Sequence, residues 1–171
     1  MTTIFENKCT YTYQYYLQLK RVTLDKNFVT TCYVTLAIVF ALGVLTLVQG
    51  WYPFTIAAAA AMIFVLYRLI GTPIRLASFA EKKNRQIHGR DIETENYFYD
   101  DHLLAANILS KSKTTIRYEE VRSLMQSKDL LIIGMDKGLV LLIDKNGFSK
   151  GKKEDFVTFI KEKCVNAEVK I

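Results

Sequence analysis

Residues 27–67 read NFVTTCYVTLAIVFALGVLTLVQGWYPFTIAAAAAMIFVLY, forty-one consecutive positions without Asp, Glu, Lys, Arg or His. A helix crosses roughly 30 Å of hydrocarbon with about 20 apolar residues, so the run is long enough for two crossings and too long for one. It predicts a helical hairpin, with one crossing from about Phe28 to Val48 and another from about Pro53 to Ile70. The link Gln49-Gly50-Trp51-Tyr52-Pro53 is short. Its Trp and Tyr suit the headgroup level, and Pro53 suits the first turn of a helix, where its missing N–H is not needed. No small-residue cleavage site follows the run, which argues against a removable signal peptide.

Working outward, charge gathers on the flanks of this run. The chain carries a net charge of +6, yet from Lys82 onward 17 Lys and Arg meet 14 Asp and Glu. The excess is local. Lys8, Lys20, Arg21 and Lys26 precede the first crossing; Arg68, Arg75, Lys82, Lys83, Arg85 and Arg90 follow the second, with Glu81 as the one acid among them. Because the turn bears no cation, both termini are expected on the cytoplasmic side of a bacterial inner membrane. Lys20, Arg21, Lys26, Arg68, Arg75, Lys82, Lys83 and Arg85 become candidate contacts to anionic lipid. Charge placed this way argues against nucleic acid as a partner.

Small side chains within the run offer surfaces where helix backbones approach closely. Gly43, Gly50, Ala57, Ala58 and Ala61 form the candidate packing or partner face. Three readings stay open for it: packing inside the hairpin, a homo-oligomer, or contact with another membrane protein.

The organisation predicted is an N-terminal strand and interfacial segment (1–26), the transmembrane hairpin (27–72), a juxtamembrane helix and linker (73–91), and a small sheet domain (92–171). Thr2–Cys9 reads as a strand. Residues 10–25 are ambiguous: Tyr11, Tyr13, Tyr15, Leu17 and Leu19 alternate with polar residues, while Tyr13, Tyr16, Leu17 and Leu24 share one helical face, with Thr12 as an N-cap. The helix is preferred, read either as lying at the membrane interface with its rings at the headgroups or as a mere entry segment to the first crossing. Beyond a helix ended by His88-Gly89 the period shortens to two. Asn96–Tyr99, Leu103–Leu109, Thr114–Tyr118, Val121–Ser127, Leu130–Met135 and Leu139–Ile143 read as strands, the last two joined at Asp136-Lys137-Gly138. Phe156, Phe159, Ile160 and Cys164 then mark one face of a closing helix. The fold class is a membrane α+β protein: a transmembrane helical hairpin plus a small antiparallel sheet domain of about seven strands, closed by a C-terminal helix.

Three segments carry a resemblance: Asn96-Tyr97-Phe98-Tyr99-Asp100-Asp101-His102-Leu103, Ile116-Arg117-Tyr118-Glu119-Glu120-Val121, and Leu142-Ile143-Asp144-Lys145-Asn146-Gly147-Phe148 leading into Asp155-Phe156. With this plan the chain resembles the bacterial YcxB-like family. The resemblance implies a small membrane protein with two N-terminal crossings and a cytoplasmic domain similar to the pleckstrin-homology fold. The family's loop usually has a proline before the lysine that Lys145 matches, and Asp144 stands there in this chain. The resemblance brings no catalytic residues with it.

The residues themselves offer no catalytic set either. His88 precedes a helix-ending glycine, and His102 sits in a turn beside Asp100 and Asp101, whose side chains diverge in an extended segment. Glu119-Glu120 reads as a polar turn. Eight scattered glycines form no phosphate-cradling run. Cys9, Cys32 and Cys164 lack zinc-site spacing and are expected as free thiols. Lys145, Lys150, Lys152 and Lys153 form the domain's one basic cluster, read either as an anionic-headgroup contact or as a solvated helix entry. The expectation is a non-enzymatic, membrane-anchored protein without cofactor or metal, whose domain docks a protein partner. Two alternatives accompany it: an immunity protein against a membrane-active toxin or bacteriocin, and an anionic-lipid-binding module.

Overall fold

The computed structural model describes residues 2–170. The charge-free run lies in two long antiparallel helices. The first, α2 (Lys26–Val48), starts where the Asp25 carboxylate accepts from the Asn27 N–H at 2.9 Å, which satisfies one of the free donors of a helix N-terminus. The second, α3 (Tyr52–His88), continues past Ile70 and through Pro73 as a single element. It stops at Gly89, whose φ of 73° is the left-handed geometry that favours glycine, and whose N–H reaches the Arg85 carbonyl at 2.8 Å. Both helices are long and apolar enough to cross a membrane, with mean hydropathies of 2.3 and 1.9 over an 18-residue stretch of each. Almost none of that apolar surface is covered by protein: Phe40, Leu45, Ile56, Ile63 and Phe64 all stand exposed.

The seam between the two helices is built from small and hydroxylated residues. A Cβ placed on Gly43 would lie 3.4 Å from the Ala58 Cβ, and the hydroxyls of Thr46 and Thr55 meet at 3.0 Å. Close backbone approach substitutes here for interlocking side chains.

Residues Tyr13–Val22 form helix α1, which has two working faces. Tyr15, Leu19 and Val22 pack on the sheet described below. Tyr16 is buried, and its hydroxyl accepts from Asn84 Nδ2 on the polar extension of α3. The buried residues of α3 are Pro73 and Ala77, both on this extension. Tyr15 donates to the Asp144 carboxylate at 2.7 Å, so the hydroxyls of Tyr15 and Tyr16 are both met by protein groups.

Nine strands, among the described residues, form two sheets. The first has the order β4-β3-β2-β1-β8, with β1 Phe5–Thr10, β2 Glu93–Phe98, β3 His102–Asn107, β4 Lys113–Arg117 and β8 Phe148–Lys150. The second has the order β7-β6-β5-β9, with β5 Val121–Gln126, β6 Leu130–Met135, β7 Val140–Asp144 and β9 Glu168–Lys170. The count exceeds the expected seven because β8 and β9 have three residues each, too few to display an alternation. The sheets are also not wholly antiparallel, since β9 returns after the closing helix to pair parallel with β5. That helix, α4 (Lys153–Lys163), buries Phe156 and Ile160.

Two cores result, one on each face of the second sheet. Leu124, Leu131, Ile133, Leu141 and Ile143 meet Phe5, Phe98, Leu103, Phe156 and Ile160 on one side. Met125, Leu130, Ile132 and Leu142 meet α1 and Cys9 on the other. Helix α1 crosses that second face from strand β7 toward strand β9. Tyr15 bonds Asp144 at the end of β7, and Gln18 bonds Asp129 in the β5–β6 turn. The Glu168 carboxyl of β9 is held below its usual range, first by its hydrogen bond and charge pairing with Lys170 and also by Lys26, the first residue of α2. Lys26, at the start of α2, therefore lies within charge reach of the β9 edge. The β7 edge lies three strand spacings from β9 across the sheet, roughly 14 Å.

Candidate functional site

At that far edge a groove of ≈ 440 Å³ opens between β4 and the β6–β7 hairpin. Ala105, Ile116, Met135 and Leu141 give it apolar walls, Thr114 and Thr115 line one side, and Glu120 and Asp136 border it with charge. Leu139, just past the hairpin turn, lines the groove and is 60% exposed. The groove separates two terminal strands, β4 of the first sheet and β7 of the second.

Ladder parity decides which backbone groups face it. The Met135 N–H bonds the Leu139 carbonyl, so alternate residues from Leu139 onward turn their backbone toward β6, while Val140, Leu142 and Asp144 turn theirs outward. Two of these three are already occupied. The Leu142 N–H donates to the Tyr11 hydroxyl at 3.2 Å, and Asn7 Nδ2 donates to the Asp144 carbonyl at 2.7 Å. Side chains from β1 and the residue following it thus close most of the β7 edge. Tyr11→Phe should leave the Leu142 N–H without its partner and lower stability by about 1–3 kcal/mol, read as a shift in the urea midpoint.

Among the described residues no side chain covers the β4 edge in this way. The Asn107 N–H bonds the Ser112 carbonyl, which sets Thr114 and Ile116 toward β3 and leaves the backbone groups of Lys113, Thr115 and Arg117 pointing away from the sheet. Ile116 is buried, so the side chains of Lys113, Thr115 and Arg117 project from the opposite, solvated face.

The residues singled out in the sequence are distributed differently. Gly43 and Ala58 face each other across the α2–α3 seam, Ala61 is partly covered, and Ala57 is exposed. Gly50 forms the turn at φ 73° with open space around it. Lys20 and Arg21 end α1, and Lys26 begins α2. Arg68, Lys82 and Lys83 are exposed along α3. The Arg75 guanidinium bonds the Tyr67 hydroxyl and lies 5.0 Å from that ring's centroid, while Arg85 pairs with Asp91 and Glu81. The basic cluster of the domain is not a single site. Lys145 donates to the carbonyls of Ser127 and Lys128, and Lys150 to that of Thr3. Lys145 and Lys153 line a hollow of ≈ 300 Å³ together with Lys128 and Glu154, and Lys150 and Lys152 are not part of its lining.

His102 stacks on Tyr99, with ring centroids 4.7 Å apart, and its Nδ1 lies 2.7 Å from Asp101. That hydrogen bond keeps the Asp101 carboxyl below its usual range. Among the described residues no group of three or more His, Cys, Asp or Glu is arranged to hold a metal ion.

All three cysteines are free and buried. Desolvation pushes the Cys9 thiol up to about 12 and the Cys164 thiol up to about 11. Both folded values lie above the ordinary thiol value of 9.0, so the contribution of these thiols to stability is complete below pH 9.0. For Cys9 it is lost as pH rises from 9.0 toward about 12. Neither thiol should react with iodoacetamide at pH 8 in the native protein, even with both membrane faces accessible, and both should react after denaturation. Fast native labelling of Cys9 would contradict its burial.

The groove was hard to foresee because it joins residues from strands separated along the chain. Two local signals pointed to it. Lys113-Thr114-Thr115-Ile116-Arg117 has one aliphatic residue in five, as an edge strand does, and Leu139 places a large apolar side chain directly after a turn.

Residues 98–160 match the model of the family described as YcxB-like protein, the family that the sequence resembles. The match runs from the end of β2 into α4 and so contains every residue lining the groove. Comparison with curated proteins found no match. Comparison with solved structures likewise found none.

Proposed function

We propose that this chain, YcxB-like over residues 98–160, is a non-enzymatic binding protein anchored in the bacterial cytoplasmic membrane. Its hairpin crosses twice, both termini lie on the cytoplasmic side, and its two sheets with the closing helix act as a pleckstrin-homology-like domain that docks a protein partner. The observation that carries this reading is the groove between β4 and β7. It is open and apolar, and it lies between the terminal strands β4 and β7, where a cytosolic partner has access. The two exposed apolar helices and the basic residues on their flanks support the anchor. Lipid binding through Lys145, Lys150, Lys152 and Lys153 has less support, because Lys145 and Lys150 already donate to main-chain carbonyls. An intramembrane immunity role is likewise less favoured, because Gly43 and Ala58 pack against each other inside the hairpin.

Two measurements test the proposal. Glu119→Cys, at an exposed turn position, should be labelled by an impermeant maleimide only after the cells are opened; labelling of intact cells refutes the orientation. A photo-crosslinking amino acid at Leu139 should capture a protein adduct in native membranes. The same group at Val165, which is 84% exposed on the α4–β9 loop, should not capture it. Identical adducts from both positions, or none from Leu139, refute docking at the groove.

A further inference from the structure

We propose that the free edge of β4 accepts an extended, acidic segment of a protein partner as an additional strand of the first sheet. The inference rests on the reading of the groove as a docking site and names what occupies it. Lys113, Thr115 and Arg117 present backbone groups that are unpaired among the described residues, and an extended chain satisfies such groups in the way a neighbouring strand does. The rival edge, β7, is occupied at Leu142 and Asp144 by Tyr11 and Asn7, so pairing is directed to β4.

Charge selects the partner. Lys111, Lys113 and Arg117 are exposed and enter no ion pair among the described residues. A second copy of the chain pairing edge to edge would set these cations against their own counterparts, which is destabilising across adjacent strands. The charges that reject a copy attract a carboxylate-bearing strand. The groove constrains the same segment from its other face. Successive side chains of a strand point to opposite sides, so residues beside Lys113 and Arg117 meet cations, and the residues between them enter a groove walled by Ala105, Ile116, Met135 and Leu141. Glu120 and Asp136, the latter paired with Arg122, border the groove and disfavour carboxylates on that side. The segment therefore alternates acidic and apolar residues.

The test uses the full chain in phosphatidylcholine nanodiscs and three fluorescein-labelled octapeptides. One alternates glutamate with valine, one alternates lysine with valine, and one carries four glutamates followed by four valines. Fluorescence anisotropy should show the alternating glutamate peptide binding at least about tenfold more tightly than the other two. Lys113→Glu combined with Arg117→Glu should reverse the preference toward the lysine peptide, an outcome that misfolding does not produce. Thr115→Pro removes an outward N–H and no ladder bond to β3, and should weaken the glutamate peptide while thermal unfolding stays cooperative. Equal binding of all three peptides, or no binding of the alternating glutamate peptide, overturns the proposal. If the Leu139 adduct still forms and Thr115→Pro does not affect it, strand addition is refuted while docking at the groove stands. Loss of the Leu139 adduct from the wild-type chain as well removes both.

Discussion

Phe156→Ala should cost about 3–5 kcal/mol, as the deletion of a fully buried aromatic ring does. Phe156 is completely enclosed, and its ring lies 5.4 Å from that of Phe5, 4.6 Å from Phe98 and 5.1 Å from Phe148. These neighbours come from β1, β2 and β8, three adjacent strands of the first sheet, so one side chain from α4 ties together strands drawn from both ends of the chain. The cavity left behind has little means of collapsing, because Phe5 and Phe98 are themselves held in the β1–β2 ladder as register partners. Total stabilities of about 5–15 kcal/mol leave little after such a loss. Urea unfolding followed by near-ultraviolet circular dichroism should show the drop, with Phe159→Ala, at a partly covered position on the same helix, costing less. A loss below about 1 kcal/mol would mean that α4 is not an integral part of the core.

The parts of this fold that were legible in the sequence are those where a single element meets a single environment. The hairpin needed only the absence of charge over forty-one positions, and the end of α3 needed only Gly89. Helix α1 was harder because it meets two environments. Tyr15, Leu19 and Val22 serve the sheet while Tyr16 serves α3, and two apolar faces on one short helix imitate the alternation of a strand. Strands β8 and β9 left no signal, because their identity depends on partners far away in sequence: β1 for β8 and β5 for β9. Gly151 illustrates the same limit. It reads as one of several scattered glycines, yet its φ of 82° and the Phe5 ring at the place of its missing Cβ give it a packing role that local pattern does not reveal. The groove belongs to this class as well. Its walls are terminal strands only because of where β4 and β7 fall in their sheets, and the covering of β7 depends on Tyr11 and Asn7 returning from the other side of the hairpin.

That dependence makes the contact between α1 and α3 the hinge of the functional argument, and Ala77→Arg should break it. Ala77 has no exposed surface, and it lies on the stretch of α3 that α1 packs against, with Pro73 buried one turn earlier and Asn84 bonded to Tyr16 further on. An unpaired guanidinium at this point faces a desolvation cost of several kcal/mol, which the structure escapes by parting the two helices. The sheets retain their own cores and α1 retains Tyr15 and Gln18 as anchors, so the domain should stay folded while losing its fixed setting on the hairpin. Spin labels at Glu119 and Lys83 report this directly. Pulsed electron paramagnetic resonance should give one narrow distance distribution for the parent chain and a broad one for Ala77→Arg. Phe79→Arg adds the same charge two residues away at a position that is 68% exposed, and should leave the distribution narrow. If Ala77→Arg also leaves it narrow, the domain is oriented by something other than α1. The proposed access of a cytosolic partner to the groove then loses its physical basis.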